Sequence, residues 1–286
     1  MAPSPPTLDR RWRMAAAGLV AAAVVPFVLP ARPLTAPLPE AVEMKDMTWV
    51  EVRSSLQAGY STAIVPTGGI EQNGPHMILG KHDYLVSYAA RQIAKDIGQT
   101  LVAPVISYVP EGDYDPPTGH MKYPGTLGVT EPVFAGVLEG VARSLKAAGF
   151  KTICFIGDHG QSQPVQAEVA ARLTREWEKA GVRVVQVDSY YAVPSQTKKL
   201  QSEGFSLEQI GQHASVIDTS ELMAVNPKGV DLARYSRSFL PQEHNGVYGN
   251  PTRSTEALGA NLIRMRIEAA AKQIRAIAKT SAASRS

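Results

Sequence analysis

The sequence predicts an α/β protein built on a mostly parallel sheet, and three observations carry that reading. Four short apolar runs stop at turn or loop residues, several of them glycines. Segments with apolar residues at helical spacing alternate with them. The composition, 44% hydrophobic and 19% charged over 286 residues, supplies a sizeable core and excludes a disordered chain, a coiled coil and a polytopic membrane protein. Strands alternating with helices of this length pack as a parallel sheet covered on both faces.

The elements follow in order. Arg10, Arg11 and Arg13 precede the apolar stretch Met14 to Leu29, and a Pro-rich segment comes next. A basic region, an apolar stretch and small residues beyond it read as an export signal of the Sec or twin-arginine type, destined for the periplasm. Residues 1–36 are assigned to that signal and linker, and residues 40–280 to one folded domain. Ser61 to Pro66 is a buried strand entering the loop Thr67-Gly68-Gly69, and Tyr84 to Ile97 is a helix stopped by Gly98. Leu101 to Ile106 is the second strand, Pro132 to Ala148 a helix ending at Gly149, and Lys151 to Ile156 the third strand. Val165 to Ala180 is helical, Val182 to Val187 is the fourth strand, and Thr255 to Lys279 is a long amphipathic helix whose Lys and Arg read as a solvated face.

Charge and cysteine usage narrow the chemistry. The 29 basic and 26 acidic residues leave +3 without a dominant basic block, which argues against nucleic acid. Cys154, the single cysteine, excludes a disulfide framework and any thiolate-rich zinc site; mid-strand, it reads as a small core residue. Six histidines then leave imidazole and carboxylate as the metal ligands to consider. In an α/β sheet the site lies beyond the carboxyl ends of the strands. Glu71, Asn73, His76, His82 and Asp83 follow the first strand, His120 the second, and Asp158, His159 and Gln161 the third. Carboxylates and imidazoles in Gly-rich loops suit zinc or manganese at a hydrolytic site, although ligands on loops have no fixed period and spacing alone leaves the question open.

Five ordered blocks resemble the creatininase (creatinine amidohydrolase) family. Residues 65–76 (VPTGGIEQNGPH) are similar to its P-x-G-x-x-E-Q-H-G-P-H, and 120–126 (HMKYPGT) to its H-x-x-F-P-G-T. Residues 156–160 (IGDHG) resemble its N-G-H-G-G-N loop, 213–220 (HASVIDTS) its H-A-G-x-x-E-T-S, and 246–251 (GVYGNP) a late G-x-x-G-D-P. The resemblance implies a three-layer α/β/α sandwich, a ring-like hexamer, and one or two zinc or manganese ions per subunit. It implies Glu71, Asp83 and His159 as ligands with Asp83 bridging, Asp218 as a further ligand, and His213 close to the substrate. The implied reaction is hydrolysis of a C–N amide bond in a small cyclic or linear amide by a metal-bound hydroxide, with Glu71 and His213 as the catalytic pair.

Departures from the family pattern matter as much. Asn73 stands where a metal-binding histidine is usual, and a neutral amide is a poor zinc ligand. Relative to that pattern one residue is inserted before Asp83, which puts His82 beside the bridge as a replacement imidazole. Gln161 and Ser162 replace the last Gly-Asn of the third block, and Asp218 is one methylene shorter than the usual Glu. Two metals in a rearranged shell, one metal, or a damaged site all remain open. Asn73, His76, His120 and Gln161 are placed beside the substrate or behind the ligands. His76 reads equally as a structural histidine, His120 as a residue shaping the pocket, Asp158 as a helix cap or loop brace, and Tyr190-Tyr191 as pocket lining or core. His244 reads as surface. Two rivals stand beside the amidase: a deformylase or small-peptide hydrolase of the same family, and a binding protein that keeps the fold with weakened catalysis.

Overall fold

The computed structural model describes residues 41–236 and 244–283, with side chains to residue 277. The proposed export segment lies outside the described residues. In chain order the principal elements are α1 (Trp49–Gln57), β1 (Thr62–Thr67), α2 (Lys81–Ile97), β2 (Thr100–Val102), α3 (Glu131–Ala148), β3 (Thr152–Gly157), α4 (Ser162–Glu176), β4 (Arg183–Gln186), α5 (Val193–Ser202), α6 (Leu207–Ile210), α7 (Val216–Val225), α8 (Leu232–Ser236) and α9 (Glu256–Ala283). The strands form one parallel sheet in the order β2-β1-β3-β4, with Ile64 level with Val102 on one side and Cys154 on the other.

Both faces of the sheet are apolar because alternate residues of each strand point to opposite sides. Ala63, Val65, Leu101, Ile153 and Phe155 pack with Phe134 and Leu138 of α3 and Leu173 of α4. Their neighbours Ile64, Val102, Cys154 and Ile156 pack with Val86 and Ile93 of α2 and Ala270 and Ile274 of α9. The result is a three-layer α/β/α sandwich. Local signals set the element ends: Thr48 and Glu51 form a reciprocal capping box on α1, and Gly149 closes α3 in the left-handed conformation at φ 115°.

Three expectations need correction. The second strand is shorter than Leu101 to Ile106. Pro104 has no N–H to give, so the strand ends at Val102 and Ile106 returns to β1 through a single bridge to Thr67. The helix after β3 ends at Glu176, and a 3-10 turn covers Glu178–Ala180. The basic residues of α9 are not all solvated: Arg266 is buried at 5% exposure. Cys154 sits mid-β3 as expected, fully buried, with its thiol pushed up to about 12 by desolvation.

The chain leaves β1 for the edge strand β2 and then crosses back to β3, so the sheet order switches between β1 and β3. The carboxyl ends of that pair form the crevice where ligands bind in open α/β sheets.

Candidate metal centre

Three loops meet over this crevice. The loop after β1 carries Glu71, fully buried and pinned at its backbone by the Glu71 N–H bond to the Leu79 carbonyl (3.1 Å). The segment after β2 brings Glu111 and His120 together, because the His120 N–H donates to the Glu111 carbonyl (3.0 Å). Gly119, at φ 52°, permits that approach: a Cβ there would stand 2.7 Å from the Glu111 carbonyl oxygen. The turn after β3 supplies Asp158 and His159, and Ser162 and Gln163 donate to the His159 carbonyl.

Glu71 divides the centre in two. Its Oε2 lies 3.1 Å from His159 Nε2 and 3.2 Å from His120 Nε2, and His159 Nε2 is 3.1 Å from Glu111 Oε2. One donor atom from each of Glu71, Glu111, His120 and His159 lies within 4.8 Å of the other three. Neither oxygen of the buried Glu111 finds a hydrogen bond of good geometry. Donor atoms bound at about 2.0–2.1 Å around a tetrahedral ion sit roughly 3.3 Å apart, close to these spacings. An under-satisfied buried carboxylate with two imidazoles and a second carboxylate therefore fits a divalent cation of the zinc or manganese kind. Burial raises the Glu111 carboxyl against the pull of His159. Burial opposes charge on His159, but its two carboxylate neighbours carry its pKa up to about 9. The Gln72 amide reaches His120 Nδ1 at 3.1 Å and fixes that ring.

The Oε1 side of Glu71 is organised by ion pairs. His82 Nε2 lies 2.6 Å from Oε1 and its Nδ1 2.5 Å from Asp158 Oδ2, so the ring bridges two carboxylates. Lys81 Nζ is 3.4 Å from both Glu71 Oε1 and Asp218 Oδ1. Desolvation disfavours its charge, but Asp218 and Glu71 outweigh it and raise the pKa, so the ammonium persists. Burial alone would raise the Glu71 carboxyl; His82 and Lys81 instead hold it well below the usual range. Behind them Arg266 pairs with Asp158 and, at 2.9 Å, with Glu221, while the Tyr190 hydroxyl donates to Asp158 (2.9 Å).

The expected site residues separate accordingly. Glu71 and His159 enter the metal-fitting group. His120, placed beforehand near the pocket, joins them, and Glu111 was missed; its position just past β2 was the available signal. Asp83 is not brought to the group. It accepts from the Gly69 N–H (3.1 Å) and the Ser107 hydroxyl (2.5 Å), bracing the first turn of α2 to the segments that follow β1 and β2. Gly68 leaves it room, since a Cβ there would fall 1.8 Å from Asp83 Oδ1. The bridging position expected of Asp83 is thus turned away from Glu71, and His82 faces inward because α2 starts at Lys81. Asp218 faces Lys81 and accepts from the Ala214 N–H (2.7 Å). Asn73 directs its amide to the carbonyls of Glu71 (3.0 Å) and Ile78 (3.2 Å), a loop-holding role.

His76 is buried against Thr219 Oγ1 at 3.0 Å, the structural placement. Asp158 is an ion-pair hub rather than a helix cap, and Tyr190 is core while Tyr191 lines the pocket. His244 is exposed. His213 Nε2–H donates to the Gln72 carbonyl (2.9 Å), which leaves Nδ1 as an open acceptor 3.7 Å from Glu71 Oε1. Burial and the Lys81 charge lower its pKa to about 4, so the ring is neutral near pH 7. Glu71, His120, Gln161, Tyr191, His213 and Asp218 border a cavity of about 200 Å³.

Comparison with known proteins agrees with this architecture. The family model described as creatinine amidohydrolase matches residues 45–274. A creatinine amidohydrolase of Pseudomonas putida is 28% identical over 200 residues, covering 68% of this chain and 76% of that protein. A 3-dehydro-scyllo-inosose hydrolase of Thermotoga maritima is 26% identical over 219 residues, covering 74% of this chain and 66% of that protein. A solved creatininase described as the manganese form superposes with a TM-score of 0.67 at 23% identity, over 82% of this chain and 98% of that one. A mutant creatininase of the Zn-Zn type gives 0.66 at 22% identity, over 83% and 98%. With its fold, its ordered sequence blocks and the family match over residues 45–274, the chain belongs to the creatininase family of hydrolases.

Proposed function

We propose that this protein is a metal-dependent amidohydrolase that cleaves the C–N bond of a small cyclic or linear amide. The observation that carries the reading is the Glu71, Glu111, His120 and His159 group opening onto a cavity of about 200 Å³. That space suits a small molecule better than an extended peptide, which favours the amidase over a peptide-hydrolase reading. A divalent ion held by these four side chains would supply Lewis-acid polarisation of a carbonyl and a water of lowered pKa. His213 stands at the cavity with a fixed tautomer and an open Nδ1, placed to take a proton from the attacking water and return it to the leaving nitrogen. Glu71, held anionic by His82 and Lys81, anchors both sides of the centre. Tyr191 and Gln161 border the space where the amide would sit.

Export to the periplasm belongs to the same proposal, supported by the Arg10 to Leu29 pattern and by a family match that begins only at residue 45. Assembly as a homo-oligomer is the further expectation of the resemblance. The test is metal analysis of purified protein together with hydrolysis of a panel of lactams, hydantoins, formamides and short peptides. The proposal expects bound zinc or manganese and chelator-sensitive cleavage of a small amide. Absence of metal, with no loss of stability in chelator, would overturn it and favour the binding-protein alternative.

A further inference from the structure

Beyond Glu71 lies a second set of donors that differs from the first in one respect. Glu71, Asp218 and His213 border the same cavity, and carboxylates with an imidazole are donor types that a divalent cation takes. The Lys81 ammonium stands between the two carboxylates, 3.4 Å from each, and is 1% exposed. It cannot swing into solvent without taking one cation from the buried Glu71 and the paired ammonium from the partly buried Asp218, a costly change in a largely desolvated site. His82 beside it has both ring nitrogens engaged, while the Asn73 amide N–H groups bond the Glu71 and Ile78 carbonyls and leave its Oδ1 buried without a partner.

We propose that Lys81 is a built-in cation that fills a latent second metal position, so that the centre holds one divalent ion per chain. The inference rests on the metal-dependent reading above and refines its stoichiometry. Lys81 is a positioning residue here: its ammonium occupies the space between Glu71 Oε1 and Asp218 Oδ1 that a second ion would need. A like charge so near a second divalent ion would repel it strongly at the low effective dielectric of a buried site.

The test is metal content of the full chain after dialysis against excess manganese and then metal-free buffer. The wild type should retain one ion per chain, Lys81→Arg should also retain one, and Lys81→Met should rise toward two. Circular dichroism and thermal melting establish that each variant is folded. Two ions in the wild type, or one in a folded Lys81→Met, would overturn the role of Lys81 while leaving metal dependence intact. No metal in any form would overturn the metal-dependent reading itself and this inference with it. If Lys81→Met does not fold, anomalous diffraction from manganese-loaded wild-type crystals decides. One peak among Glu71, Glu111, His120 and His159 supports the proposal, and a second peak between Glu71 and Asp218 contradicts it.

Discussion

The two sides of Glu71 hold the same kinds of residue under opposite conditions. On the Oε2 side, Glu111 has no hydrogen bond of good geometry and faces His159, whose pKa its carboxylate neighbours carry up to about 9. On the Oε1 side, every acid is answered: His82 spans Glu71 and Asp158, Lys81 spans Glu71 and Asp218, and Arg266 spans Asp158 and Glu221. Buried polar groups are normally satisfied, so an unsatisfied one marks a place built for something else. The difference teaches that one buried acidic cluster can be half ligand set and half scaffold, and that partner counting separates the halves better than residue type does.

Substitutions on each side should break differently. His159→Ala removes a donor from the open side. It should abolish stable metal retention, a loss beyond the roughly 10–100-fold typical of partners outside the ligand sphere, with the fold preserved by circular dichroism. Arg266→Met strikes the paired side. Leaving Asp158 and Glu221 buried without their cation should lower unfolding free energy by about 3–5 kcal/mol in denaturant titration. His82→Ala lies between, since the ring orients Glu71 without joining the four-donor group. Metal affinity should fall by about 10–100-fold in a competition titration, short of complete loss. Asp83→Ala should change metal content least. It removes the braces to Gly69 and Ser107 and should cost about 1–3 kcal/mol in stability.

Where local rules govern, the sequence was legible. β1 and β3 read as strands because fully buried parallel strands are continuous apolar runs, and α3 ended where Gly149 allows a left-handed cap. Glu71 and His159 were legible because strand ends in this fold class point into the crevice. Asp83 faces away from the group through a matter of rotation: successive residues in the first turn of a helix diverge by about 100°, so His82 turns to Glu71 while Asp83 turns to Gly69 and Ser107. Arg266 was hidden for another reason: a basic residue on an amphipathic helix reads as solvated until tertiary packing sets it over Asp158. Glu111 carried no motif, and its pairing with His120 arises from a loop hydrogen bond that no periodicity announces.

The central claim is that Glu111, not Asp83, belongs with Glu71, His120 and His159 around the ion. The direct measurement is metal content by mass spectrometry of Glu111→Gln beside Asp83→Ala, each purified and loaded identically. The account predicts that Glu111→Gln loses the ion and Asp83→Ala keeps it. Retention in Glu111→Gln together with loss in a folded Asp83→Ala would contradict it.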